Sequence, residues 1–131
     1  MLHKELTQKI INAAKSVHAE LGPGMPHKFY RTAMEIELRE AGVMAEVDKP
    51  VIIQFRGENL GELGVDFCID NAILCVCVEG DEISNDQYGR LRTLLKNLEL
   101  EVGLLLKFSG ARLDVRRVEM VSKNEQAATS E

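Results

Sequence analysis

The sequence has no tryptophan, only two tyrosines and four phenylalanines, three prolines and three cysteines. Without tryptophan the core is expected to be mainly aliphatic. An odd number of cysteines excludes a fully paired disulfide framework and points to reduced thiols in a cytoplasmic protein. No stretch approaches the roughly 20 apolar residues of a membrane span. The N-terminus, "MLHKELTQKIINAAKSVHAEL", has neither the unbroken apolar core nor the small-residue cleavage site of a signal peptide. A basic excess is also lacking: the formal charge is −5, which argues against a surface that binds nucleic acid wholesale through counterion release.

What is present is an ordinary globular composition, 45% hydrophobic and 28% charged over 131 residues. That length suits one domain, read over 1–121, with the polar end 122–131 as a frayed tail. Leu6, Ile10, Ile11, Ala14, Val17 and Leu21 recur at helical spacing, and "GPG" at 22–24 stops that helix. A second helix follows through "FYRTAMEIELREAG", with Phe29, Ala33, Ile36 and Leu38 toward one side. From Val43 the pattern changes to short β-branched runs, "VMAEV", "VIIQF", the polar turn "RGENLGE", "GVDFCID" and "AILCVCV". "SNDQ" at 84–87 is a capping box opening a third helix with Tyr88, Leu91, Leu94, Leu95 and Leu98 as its apolar face. "VGLLLKF" reads as a buried strand and "RLDVRRVEM" as an edge strand. The order describes an α/β domain, a mixed sheet flanked by helices.

Few residues assemble into a chemical constellation. Cys75 and Cys77 alternate onto one face of a strand, but Zn²⁺ needs four ligands, and Cys68, His3, His18 and His27 lack the spacing to complete a site. His3 and His18 read as solvated helix residues and the cysteines as packing. Asp66 stands out, a carboxylate between Val65 and Phe67 inside a strand, costly to bury unless it is paired, binds a cation or takes backbone amides near the strand end.

Four blocks then carry a resemblance: "LGPG" at 21–24 followed by Tyr30, "EIELREAGV" at 35–43, "GELGVDFCID" at 61–70 and "VGLLLKF" at 102–108. In order and separation they resemble the GxxExxY proteins, small members of the PD-(D/E)XK nuclease-like superfamily, which implies a restriction-endonuclease-like core. Gly24 and Tyr30 match the motif that names the family, while His27 stands at its Glu. The superfamily's metal site uses an Asp on one strand and Glu-x-Lys on the next to hold a cation that activates water and stabilises phosphate charge. Asp66 matches that Asp. Val76 and Val78 fall on the Glu and the Lys, and Arg90 on a Gln of the following helix.

The resemblance therefore implies a nuclease fold stripped of catalysis, a binding or structural module without cofactor, working as a homodimer or with a protein partner. Two alternatives stand beside it. One is a Mg²⁺- or Mn²⁺-dependent nuclease with Asp66 as metal ligand, an acid migrated from Glu62, Glu79 or Glu37, and Arg90 or Lys107 near the phosphate. The other is nucleic-acid binding without cleavage through Arg90, Arg92, Lys96, Arg112, Arg116 and Arg117.

Overall fold

The computed structural model describes residues 3–120, so the tail read at 122–131 lies outside the described residues. Two helices, α1 (Lys4–Leu21) and α2 (His27–Glu40), precede a hairpin of β1 (Ala45–Phe55) and β2 (Glu58–Ile69). Then come β3 (Ile73–Val78), α3 (Asn85–Leu98), β4 (Val102–Lys107) and β5 (Asp114–Glu119). The strands form one sheet in the order β1-β2-β3-β4-β5, antiparallel except for the parallel pair β3/β4 that α3 connects. Parallel strands covered on both faces read as continuous apolar runs, which is why "ILCVCV" and "VGLLLK" show no polar alternation.

Each face of the sheet has its own core. On one side α1 and α2 bring Ile10, Ala14, Val17, Tyr30, Met34 and Leu38 against Phe67, Ile73, Cys75, Cys77, Leu104 and Leu106. On the other, Leu91, Leu94 and Leu95 of α3 cover Val65, Leu74, Val78 and Leu105. Helix α2 thus buries Tyr30, Met34 and Leu38 at steps of four, not the face expected from the sequence. Of the expected set Leu38 is buried and Ala33 packs partly buried against that core, whereas Phe29 is 47% and Ile36 39% exposed. His18 is also not simply solvated: it is half-buried, with Nε2 2.9 Å from the Gly110 carbonyl.

The turns follow their chemistry. Ser84 Oγ accepts from the Gln87 amide and the Gln87 side chain accepts from the Ser84 amide, the expected capping box. The β1/β2 connection is shorter than the polar run suggested. Only Arg56 and Gly57 turn, both at positive φ, and "ENLGE" belongs to β2. Asp70 and Asn71, both left-handed, close the β2/β3 hairpin.

One irregularity positions the site. Ala45 and Val47 of β1 pack on the α1/α2 side, whereas Val51 and Ile53, which alternation should keep on that side, pack under α3. Strand β2 turns over at the same level, Leu63 and Val65 facing α3 but Phe67 and Ile69 facing α1 and α2. The switch lies at Asp48, with φ of 53°, and at Asp66, flanked by the cross-strand pairs Val47/Phe67 and Lys49/Val65.

Candidate functional site

Strands β2 and β3 are paired only over Phe67/Cys75, Cys68/Leu74 and Ile69/Ile73. Beyond Phe67 they part, while β2 continues along β1 to the hairpin turn. Asp66 is the first residue of β2 in this fork. Its Oδ2 accepts a 2.7 Å hydrogen bond from the Cys77 amide, a group the ladder no longer serves. Its Oδ1 lies 2.7 Å from Arg31 Nε, a charge contact without the alignment of a hydrogen bond. Arg31 Nη2 also bonds the Asp48 carboxylate. A guanidinium from α2 therefore spans two carboxylates from adjacent strands. Burial disfavours the charge on Arg31, but Asp66 and then Asp48 outweigh it, and its pKa rises above the usual value.

A cavity of about 370 Å³ occupies the fork. Val65, Val76, Leu91 and Leu94 are its apolar walls, and His27, Asp66, Glu79, Asp86 and Arg90 bring polar groups to it. Three residues singled out in the sequence, His27, Asp66 and Arg90, thus meet from α2, β2 and α3. Val76 lines the cavity with them, and Val78 packs into the α3-side core. Tyr30 does not reach this cavity. It is buried against Phe108, the rings stacked at 4.9 Å. Its hydroxyl donates to the Gly22 carbonyl at 2.5 Å and accepts from the Met25 amide at 3.1 Å, clamping the turn in which Gly24 takes φ of 90°. The Gly and Tyr of the motif shape a loop, and the residue between them faces the fork.

Of the acids that could have migrated, Glu79 alone lines the cavity. Glu37 accepts from Ser16 Oγ on the far side of α2, and Glu62 sits exposed in the hairpin across from Ile52. Lys107, at the end of β4 opposite Asp114, is not in the cavity wall. Cys75 and Cys77 are buried on the α1/α2 side, their thiols pushed to higher pKa chiefly by burial; Cys68 is raised for the same reason. None has the electropositive setting of a nucleophile.

The sequence reading missed Arg31 and Asp48. Arg31 lies one helical turn after His27, on the same face of α2, and that spacing was the available signal. Asp48 interrupts two apolar runs as Asp-Lys-Pro, a break that marks a residue tolerant of left-handed backbone.

An α/β domain with a mixed sheet flanked by helices, and an acid where two central strands part, has the architecture of a restriction-endonuclease-like fold. The family model of the PD-(D/E)XK nuclease superfamily matches residues 4–118, and the chain belongs to that superfamily. The crystal structure of SSO0001 is similar, with a TM-score of 0.56 at 14% identity, which shows a shared fold. The match covers 95% of this chain and 60% of that one. Among curated proteins none matches the sequence.

The superfamily implies a divalent cation at Asp66, and the residues present do not fit one. Mg²⁺ wants hard oxygen donors in octahedral array. Here one oxygen of Asp66 faces a guanidinium, the other takes an amide, and the neighbouring strand offers Val76. Among the described residues no three His, Cys, Asp or Glu side chains group as metal ligands. The fork can instead receive a partly apolar group against Val76, Leu91 and Leu94, with Arg90 and the acids at its edge.

Proposed function

We propose that the chain is a GxxExxY-type member of its superfamily that no longer cleaves phosphodiesters and acts as a binding or structural module. The observation that carries this reading is Val76 in the wall beside Asp66, at the position where the resemblance expects the metal-binding Glu. Valine offers neither a ligand nor a proton carrier. Val78, at the Lys position, is committed to the core under α3 and leaves no group to assist an attacking water. The Tyr30 clamp on the Gly22–Met25 turn and the place of His27 in the wall of the cavity that Asp66 also lines support the GxxExxY kinship, since both follow from that motif's spacing. Three unpaired, buried cysteines suit a reducing compartment.

The test is a cleavage assay with Mg²⁺ or Mn²⁺ on plasmid, single-stranded DNA and RNA. No cleavage is expected. Metal-dependent activity that disappears in Asp66→Ala would refute the proposal.

One observation favours a second reading, nucleic-acid binding without cleavage: Arg90 stands at the cavity, and on the same helix Arg92 lies 5.8 Å from the centre of the Tyr88 ring. Phosphate contacts would give an affinity that falls steeply with salt and weakens in Arg90→Ala. An affinity indifferent to salt removes this reading in favour of a protein partner or a second copy of the chain.

A further inference from the structure

A cation is already built into the fork. Arg31 reaches from α2 to the two points at which β1 and β2 turn over, its Nε at Asp66 and its Nη2 at Asp48. The Arg31 side chain is only 28% exposed and that of Asp66 only 19%, so both lie where a charge needs a counter-charge. Asp48 is 70% exposed and would gain little from an ordinary surface ion pair. Its left-handed backbone nevertheless turns the carboxylate toward Arg31, directly across the strands from Asp66. Two carboxylates and one guanidinium leave a net charge of −1. A divalent ion added to that set would sit against a fixed positive group, so metal and Arg31 compete for one place.

We propose that Arg31, held by Asp48, is the resident cation of this site and excludes Mg²⁺ and Mn²⁺ from Asp66. This deepens the reading of a fork without nuclease chemistry and rests on it. Arginine suits the task because its planar fork of donors addresses two carboxylates at once and stays charged at any physiological pH. The guanidinium orders the junction of α2, β1 and β2 as a metal would. Unlike a metal it carries no water to activate.

The inference makes Asp48 and Asp66 a cation site that Arg31 keeps closed. Two carboxylates with added waters are a sufficient protein contribution for Mg²⁺ or Mn²⁺. Mn²⁺ binding to the full chain is measured by calorimetry and by loss of the free-ion paramagnetic signal. Wild type is expected to show no saturable binding up to about 5 mM Mn²⁺. Arg31→Ala should bind one ion at least about tenfold more tightly than any residual wild-type binding. Adding Asp48→Asn should abolish the gain, and Arg31→Lys, which keeps the charge but not the two-way fork, should bind Mn²⁺ more weakly than Arg31→Ala. Should Arg31→Ala fail to fold, Arg31→Gln carries the same expectation, because it keeps polarity and much of the length.

Saturable wild-type binding that depends on Asp66 overturns the proposal. So does an Arg31→Ala or Arg31→Gln chain that binds no better than wild type, or a gain that survives Asp48→Asn. Wild-type metal binding without cleavage would sink this inference and leave the proposed function standing, whereas metal-dependent cleavage would sink both.

Discussion

If Asp66 now holds the fork together rather than serving chemistry, replacing it must cost stability. Asp66→Ala removes the acceptor of the Cys77 amide and the inner partner of Arg31. A hydrogen bond to an ionised acceptor contributes about 1.5–3 kcal/mol, and the amide left behind has no other partner in the fork. The ion pair adds less. Arg31 keeps Asp48, both groups retain some exposure, and screening holds that share to about 1 kcal/mol. The sum is a loss of about 2.5–4 kcal/mol for Asp66→Ala. Asp66→Asn keeps an oxygen for the amide and loses only charge, so about 1–2 kcal/mol is expected. Urea unfolding followed by circular dichroism measures both, with a lower midpoint at unchanged slope. Residues retained for activity often show the opposite, because relieving an unfavourable charge stabilises the fold. An Asp66→Ala chain as stable as wild type, or more so, would refute a structural Asp66. An Asn variant as damaged as the Ala variant would place the cost in charge instead of the amide contact.

Three further perturbations probe the surroundings. A Cβ on Gly103 would lie 2.9 Å from the terminal carbons of Leu91, which is fully buried in the α3-side core. Gly103→Ala should therefore destabilise by about 1–3 kcal/mol, and by less than that in a Leu91→Ala background, measured as a double-mutant cycle in urea. Tyr30→Phe leaves the Gly22 carbonyl and the Met25 amide without the hydroxyl; a loss of about 1 kcal/mol is expected from thermal or urea melts, with the stacking on Phe108 retained. Burial raises the Cys75 and Cys77 thiols above the unfolded value, so their contribution is complete below about pH 8.5 and declines as pH rises, when only the unfolded chain ionises. Between pH 9 and 10 urea stability should fall by about 1.2 kcal/mol for each such thiol, and Cys77→Ala should remove one share of that slope.

The elements that periodicity and capping specify were legible in the sequence. The α3 capping box, the turn after α1 and the two buried parallel strands stand where the residues put them, because local chemistry decides them. Helix α2 was harder. Phe29 and Ile36 are as apolar as Tyr30 and Met34, and only the angle at which α2 meets the sheet selects the buried pair. In the site, Asp66 and His27 could be named because each sits in a matched block, and both line the cavity. Arg31 and Asp48 left only weak local signals, a helical turn's spacing from His27 and a break between apolar runs. Their meeting depends on β1 and β2 turning over together, a tertiary event with no periodic trace, and on a contact between residues 17 positions apart.

The left-handed residue that brings Asp48 to Arg31 has another effect. Strand β1 is an outer edge of the sheet, and an exposed edge invites a second chain to add as a further strand. On β1 that invitation is broken three times, by the reversal at Asp48, by Pro50, which has no N–H, and by the irregular register between Ile53 and Gln54. Together these breaks disfavour the addition of a second chain as a strand along this side, and with it polymerisation by sheet extension.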